Sequence, residues 1–359
     1  MEEAILLMHV CQIIPTLSAG GAEKLSINLS NELAKSNIKT TLIVLYKYPG
    51  SDKLLNMVSS SVNIIQLNYP LNEKLKMMFS LTKNIIKLKP NVVHCHLRSI
   101  FFVAPFILLK NRFKLFFTLH SRDVNYEFNK WQRRYIKILI NQAGLKTVLI
   151  NNYQTHSFIR YFNEKFKIIK NAIPLSCQSY DNHSNLFDGI KVAHVGRLDP
   201  VKNQVALIKA AKSKNISLTL ICPENQEFYE YSREVKNEID TDIKFISFSN
   251  DVIKDISSCD FFCLSSYKEG LPLSLLESMS IGLIPILTPF DGHDTILDGL
   301  ESKYITEGFS AKDIENVFNE IKKVKKGDVE RMKADVISFF RHNYSMEKCI
   351  EEHISYYRS

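Results

Sequence analysis

Glu269 and Glu277 flank the turn Gly270-Leu271-Pro272 in the run Ser265-Ser266-Tyr267-Lys268-Glu269-Gly270-Leu271-Pro272-Leu273-Ser274-Leu275-Leu276-Glu277. Proline is pre-organised for a first helical position, so a helix is predicted to begin near Pro272, with Glu269 left in the loop. Glu277 then lies between one and two turns in, roughly 7 to 9 Å along the axis from the helix start. Two carboxylates around an exposed helix N-terminus suit a polyhydroxy ligand that carries phosphate. The carboxylates accept from sugar hydroxyls, and backbone N–H groups near Leu273 and Ser274 take the phosphate. Solvated surface produces the same bare spacing.

A second loop reads Val195-Gly196-Arg197-Leu198-Asp199-Pro200-Val201-Lys202-Asn203. Asp199 as N-cap and Pro200 at the first helical position would place Lys202 in the first helical turn, with Arg197 just before it. A guanidinium fork and an ammonium at a helix start fit a diphosphate through charge-assisted hydrogen bonds. A third loop, Thr16-Leu17-Ser18-Ala19-Gly20-Gly21-Ala22-Glu23, precedes a helix whose Leu25, Leu29 and Leu33 keep a period of four. Gly20 and Gly21 allow backbone N–H groups to approach an anion, and a tight structural turn needs the same glycines. The loop is not G-x-G-x-x-G, and it lacks the Lys-Ser/Thr of a P-loop.

These loops need strands to carry them. Runs rich in Val, Ile, Leu and Phe at Ala4–Ile14, Thr40–Tyr46, Val62–Leu67, Val92–His96, Leu115–His120 and Thr147–Ile150 alternate with helix-period sequence. The rhythm restarts at Lys191–Val195, Ser217–Ile221, Lys244–Ser247, Asp260–Ser265 and Ile284–Thr288. Nearly continuous hydrophobic strands are those of parallel sheets covered on both faces, which predicts two doubly wound α/β domains in tandem. Residues 1–174 form the first, the polar stretch 175–188 the linker, 189–343 the second, and 344–359 a C-terminal helix able to pack back on the first. In such sheets ligands bind beyond the carboxyl ends of the strands, where all three loops lie.

The 359 residues carry a net charge of +8, divided unevenly. Residues 1–170 hold 24 Lys and Arg against 9 Asp and Glu, and residues 171–359 hold 22 against 29. A basic half attracts an anionic partner: a phosphorylated substrate, an anionic membrane surface or a nucleic acid. No RNA-binding or helix-turn-helix signature accompanies it, so nucleic acid is disfavoured. The segment Asn129–Leu145 places Lys130, Arg133, Arg134 and Lys137 beside Trp131, Tyr135, Ile136, Leu139 and Ile140. Such a helix can rest on an anionic leaflet, or be a core-packing helix with a solvated face. Phe101–Leu109 is too short to span a bilayer and contains Pro105. The Met-Glu-Glu start is not a basic signal-peptide region, and seven scattered cysteines without a C-x-x-C pair fit free thiols in the cytoplasm.

Two patterns could suggest a metal. Asp240-Thr241-Asp242 is a D-x-D triplet, but it precedes a strand instead of following one. His94 and His96 share one strand face, with no third ligand at suitable spacing, which favours buried or capping roles.

Taken together, Gly20-Gly21-Ala22-Glu23, Asn91-Val92-Val93-His94-Cys95-His96, Thr118-Leu119-His120, Gly196-Arg197-Leu198 with Lys202-Asn203, and Glu269-Gly270-Leu271-Pro272 through Glu277 resemble the retaining GT-B glycosyltransferases of glycosyltransferase family 4. The last piece is similar to the E-x7-E signature of that family. The resemblance implies a GT-B fold, two Rossmann-like domains facing a central cleft, with the acceptor on the first domain and a nucleotide-sugar, UDP-linked in the leading reading, on the second. It implies that Arg197 and Lys202 hold the donor diphosphate and that Glu277 binds the ribose. Glu269 would contact the transferred sugar, and His120 would face that sugar and the reaction centre. Gly20 and Gly21 would lie near the phosphates and acceptor, with Gly270, Leu273 and Ser274 lining the donor site. No metal or other cofactor is implied.

The resemblance further implies transfer to a saccharide or lipid-linked acceptor in bacterial surface polysaccharide synthesis, on the cytoplasmic side and with peripheral membrane contact possible. A nucleotide-sugar epimerase or hydrolase of the same fold, and a non-catalytic nucleotide- or glycan-binding subunit, are the alternatives. The sequence departs from the family pattern at Ile221-Cys222-Pro223-Glu224-Asn225, at Asn171-Ala172-Ile173-Pro174 and at Phe290-Asp291-Gly292-His293-Asp294. None of these touches the expected phosphate site.

Overall fold

The computed structural model describes residues 8–18, 20–109, 111–121, 123–162, 166–174 and 189–359. The expected linker, 175–188, lies outside the described residues, as do the first residues of the Ala4–Ile14 run and Ala19 of the glycine loop. The described chain divides into two compact units: residues up to Pro174 join with Met346–Ser359, and the second unit ends at Ser345.

In the first unit, β1 (His9–Ile14), β2 (Lys39–Tyr46), β3 (Asn63–Tyr69), β4 (Val92–His96), β5 (Lys114–Leu119), β6 (Lys146–Leu149) and β7 (Phe166–Ile168) form one parallel sheet. Its order is β3-β2-β1-β4-β5-β6-β7. The connections include α1 (Gly21–Lys35), α2 (Lys74–Leu88), α3 (Val124–Glu127), α4 (Lys130–Ala143) and α5 (Gln154–Phe162).

Strand alternation decides the two faces. Cys11, Ile13, Val93, Cys95, Leu115 and Phe117 point to the face covered by Met77, Leu81 and Ile85 of α2 and Ile136 and Leu139 of α4. Val10, Val92 and Phe116 point the other way, onto Leu29 and Leu33 of α1 and onto Met346, Ile350 and Tyr357 near the end of the chain. On that second face, closer to the carboxyl ends of the strands, stand Gln12, His94, His96 and Thr118, all buried.

The second unit repeats the plan with β8 (Lys191–Val195), β9 (Ser217–Ile221), β10 (Ile243–Ile246), β11 (Phe261–Leu264), β12 (Ile284–Leu287) and β13 (Tyr304–Ile305), in the order β10-β9-β8-β11-β12-β13. Its helices are α6 (Gln204–Lys214), α7 (Tyr229–Glu238), α8 (Val252–Ile256), α9 (Leu273–Ser280), α10 (His293–Ile296), α11 (Ala311–Ile321) and α12 (Lys326–Tyr344).

The α12 helix runs one residue beyond the expected boundary at 343, because the buried Tyr344 donates its hydroxyl to Ile296 O at 2.6 Å inside the second unit. The last helix, α13 (Met346–Arg358), belongs to the first unit and closes the polar face of β1, β4 and β5. In both sheets the strand order reverses once, between β1 and β4 and between β8 and β11. These are the switch points at which open α/β sheets take ligands. The apolar Phe101–Leu109 stretch forms parts of two short 3-10 turns, Leu97–Phe102 and Ala104–Leu109. Among the described residues no helix is long and apolar enough to cross a membrane.

Candidate active site

In the second unit the site is built by the two loops at its switch point. After β8 the chain turns through Gly196 and Arg197, and Asp199 Oδ1 accepts from Val201 N at 2.9 Å. Instead of starting the α-helix, as the Asp199-Pro200 pair was expected to do, Pro200–Lys202 forms a separate 3-10 turn. Asn203 ends it in the left-handed region, at φ 54°, which asparagine tolerates better than most residues. Its Nδ2 donates to Phe309 O at 2.8 Å and fixes the break. Only then does α6 begin.

The break lets Lys202 reach across the switch point. Its Nζ meets Glu269 Oε1 at 2.6 Å, with the side chains 21% and 9% exposed. Ser266 Oγ donates to the same oxygen at 2.5 Å. The two loops are laced together beneath this pair: Ser265 Oγ donates to Lys202 O at 2.8 Å, and Tyr267 N to Val201 O at 2.8 Å. Thr288 Oγ1, at the end of β12, donates to Ser266 O at 2.6 Å. An ammonium and a carboxylate, partly withdrawn from water and held from both sides, are thereby set at the carboxyl edge of the sheet.

The remaining expected residues of this unit occupy distinct places. Arg197 stands exposed, its carbonyl accepting from Gln204 Nε2 at 2.8 Å, and is not drawn into the Lys202–Glu269 pair. Gly270 leads to Pro272, the N-cap of α9. Leu273 and Ser274 are the first helical residues, so their N–H groups fall outside the intrahelical ladder. The Leu273 side chain is buried, which leaves its backbone alone for a ligand. Ser274 and Glu277, both half-buried, are three apart and share a helix face. The D-x-D triplet lies on an exposed turn, where Asp240 Oδ1 accepts from Asp242 N at 3.2 Å and Oδ2 pairs with Lys212 at 3.4 Å.

One residue escaped the sequence reading. His194 on β8 is fully buried, and its Nδ1 lies 2.9 Å from Cys263 O. A carbonyl only accepts, so Nδ1 carries the hydrogen and Nε2 is a bare acceptor. That nitrogen has no partner among the described residues. A Cβ on Gly196 would stand 3.4 Å from it and 3.6 Å from Lys202 Cδ, so it borders the same loop. Burial, with a smaller push from the Lys202 charge, lowers its pKa to about 4. The only trace in the sequence was its position two residues before Gly196.

The first unit holds Gly20, Gly21 and His120. Gly20 caps α1 with an ordinary extended backbone. Its missing Cβ makes room for the Glu23 carboxylate, which folds over it and accepts from Ser18 Oγ at 2.9 Å. His120 follows β5, half-buried, with Nε2 3.0 Å from His96 Nδ1. Burial lowers its pKa to about 3, so it is a neutral imidazole at physiological pH. A cavity of about 450 Å³ opens beyond β5 and β6, lined by Asp123, Asn125, Tyr153, His156, Ser157 and Arg160. Among the described residues no group of three His, Cys, Asp or Glu side chains is placed to hold a metal ion. His94 and His96 instead bond to Tyr357, Thr118, His120 and Gln12.

Residues 19–176 match the family described as Glycosyltransferase Family 4, and residues 181–336 the family described as Glycosyl transferases group 1. The chain belongs to the group 1, family 4 glycosyltransferases. This glycosyltransferase is 26% identical over 347 residues to an uncharacterized glycosyltransferase of Haemophilus influenzae, covering 93% of this chain and 95% of that one. It is 24% identical over 341 residues to a Campylobacter jejuni protein, over 88% of this chain and 90% of the relative. That protein is named GalNAc-alpha-(1->4)-GalNAc-alpha-(1->3)-diNAcBac-PP-undecaprenol alpha-1,4-N-acetyl-D-galactosaminyltransferase. Its fold is that of GT-B glycosyltransferases: Anabaena HepE, solved with UDP and glucose, superimposes with a TM-score of 0.79 at 15% identity, over 97% of this chain and 98% of HepE.

Proposed function

We propose that this glycosyltransferase moves a sugar, with retention, from a UDP-linked donor to a saccharide or lipid-linked saccharide acceptor in bacterial surface polysaccharide or glycolipid synthesis. The observation that carries the reading is the Lys202–Glu269 pair at the switch point of the second unit. In the reaction the bond between the sugar anomeric carbon and the diphosphate breaks, and the acceptor oxygen bonds that carbon from the same face. The acceptor proton leaves with the nucleoside diphosphate. The developing charge is on the departing diphosphate, so stabilising that group is the main lever.

Lys202 and Arg197 supply the cations, doing the work a divalent metal does elsewhere, and the N–H groups of Leu273 and Ser274 add the helix-start dipole. Glu269 accepts from a hydroxyl of the transferred sugar and hands part of its ammonium partner to the phosphate. Glu277 accepts from the ribose. HepE with UDP supports the choice of nucleotide, and the undecaprenol diphosphate in the name of the Campylobacter relative supports a lipid-linked acceptor. The polar cavity beside β5 and β6 offers carboxylate, amide and guanidinium groups to the hydroxyls of a saccharide.

Thermal shift and nucleotide release with UDP-, GDP-, ADP- and CMP-sugars, in EDTA, with and without membrane extract, test the reading. Stabilisation by UDP-sugars and release that requires extract are expected. Release without acceptor would make the protein an epimerase or hydrolase, and silence with every nucleotide a binding subunit. Lys202→Ala should lower turnover by about 10²- to 10³-fold, the scale of losing one electrostatic contact to a transition state, read at a temperature where the variant is folded, since stranding the 9% exposed Glu269 carboxylate also costs stability. Unchanged turnover rejects its role.

Peripheral membrane contact belongs to the same proposal. On α2, Leu75 and Phe79 are 69% and 67% exposed, and Ile86 continues their stripe between Lys74, Lys76, Lys83 and Lys87. On α4, Trp131 is 74% exposed beside Lys130, Arg134 and Lys137. Both helices cover the same face of the sheet. Apolar side chains rimmed by lysines suit an anionic leaflet. The protein should sediment with phosphatidylglycerol vesicles, less so as salt rises, and not with phosphatidylcholine alone. Equal binding to both lipids would remove the electrostatic part of the argument.

A further inference from the structure

Behind His120 the first unit buries a continuous chain of polar groups. His120 Nε2 is 3.0 Å from His96 Nδ1, and His96 Nε2 is 2.6 Å from Gln12 Oε1. Gln12 Nε2 lies 3.3 Å from the Tyr357 hydroxyl, which lies 2.6 Å from His94 Nδ1. His94 Nε2 ends the chain on Thr118 Oγ1 at 2.7 Å. Gln12, His94 and His96 are wholly inaccessible, and Tyr357 is nearly so. The chain crosses the β1/β4 switch point and is closed by α13.

Burial holds His94 and His96 well below the ordinary histidine range, and His120 at about 3, so all three rings are neutral. A neutral imidazole has one N–H and one bare nitrogen, and each link in such a chain holds one hydrogen. The amide oxygen of Gln12 can only accept, so His96 Nε2 carries its hydrogen and His96 Nδ1 is bare. Ser99 Oγ accepts from His96 N at 3.1 Å and holds the backbone beneath the ring. His120 Nε2 must then be the donor at the 3.0 Å contact. On the other side, Gln12 Nε2 donates to Tyr357, Tyr357 to His94 Nδ1, and His94 Nε2 to Thr118. Turning the one amide over would reverse every link.

We infer that Gln12 and His96 are positioning residues that lock His120 in the tautomer with hydrogen on Nε2, leaving Nδ1 as a hydrogen-bond acceptor for a substrate hydroxyl. The catalytic meaning rests on the glycosyltransferase role given to His120, while the tautomer itself does not. An imidazole so fixed cannot donate to a leaving group. It can take a hydroxyl hydrogen bond and orient the sugar or acceptor that owns it. Anchoring comes from three separate parts of the chain, β1, β4 and α13, which makes the lock a property of the finished unit.

Long-range ¹H–¹⁵N correlation spectra of the histidine rings in the full chain test this without any substrate, with His120 assigned by loss of its signals in His120→Gln. The expected spectrum at neutral pH has a pyrrole-type Nε2 and a pyridine-type Nδ1 for His120. Gln12→Leu should turn that single tautomer into a mixture. His96→Phe, which removes the ring nitrogen that accepts from His120, should do the same. A hydrogen on His120 Nδ1 in the native protein, or ring signals indifferent to Gln12→Leu, would overturn the inference. If Gln12→Leu does not fold, the native spectrum still decides, and so does His96→Phe: a single Nε2–H tautomer of His120 kept without its partner ring would also overturn the inference. Failure of the nucleotide-release screen leaves these spectra untouched, so the two readings fall separately.

Discussion

Between pH 7 and pH 5 the first unit should lose several kcal/mol of stability and melt at progressively lower temperature in scanning calorimetry. Its buried His94, His96 and His353 and its half-buried His120 all have their pKa values lowered by desolvation, the last two to about 4 and about 3. In the unfolded chain each returns to the ordinary value near 6.5 and takes a proton as the pH falls through it. The folded form binds fewer protons, so stability is fully present above about pH 6.5 and drains away toward pH 4 and below. Each ring contributes a slope of about 1.4 kcal/mol per pH unit once the unfolded form is protonated. Four rings together give about 5 kcal/mol per unit, enough to exhaust a typical domain within two units. Replacing His353 by Gln should flatten the slope by one ring's share. A melting temperature level from pH 7 to pH 5 would show that protons reach these rings in the native fold.

Asp260→Ala should cost the second unit about 3 to 5 kcal/mol, the usual penalty for stranding one partner of a buried ion pair. Lys333 Nζ stands 2.9 Å from Asp260 Oδ1, with the two side chains 6% and 0% exposed. The pair ties α12 to the amino end of β11, where Asp260 Oδ2 also accepts from Lys191 N at 3.4 Å. Lys333→Met should be similarly costly alone, whereas the two replacements together should cost less than their sum, because neither leaves a buried charge behind. Urea unfolding of the three variants measures this. Strict additivity would mean the ammonium and carboxylate do not depend on each other.

The sheet was largely legible because its strands are hydrophobic on both faces. Val92–His96, Lys191–Val195 and Ser217–Ile221 were predicted to the residue. The edge strands β7 and β13 were not, since three and two residues carry no readable period. Of the site, the Glu269 loop and the helix that follows it were visible through Gly270 and Pro272. The grip of Glu269 on Lys202 was not, because it depends on a 3-10 turn that ends at Asn203 and on partners 67 positions apart. His94 and His96 could be read as a same-face pair, but what binds them could not. Gln12 and Tyr357, which meet across 345 positions, show no mutual pattern in the chain. A buried polar network is specified by contacts between elements, and periodicity reports only on single elements.

The chain begins in the first unit, builds the whole second unit, and returns to the first with α13. On a ribosome this reverses the usual order of maturation, in which domains fold as they emerge from the N-terminal side. The β1–β4–β5 face, with Gln12, His94 and His96 in it, must wait uncovered until Met346–Arg358 has been made. The second unit can be finished by then. Half-made chains would thus carry a completed second unit and a first unit still missing the helix that seals its polar face.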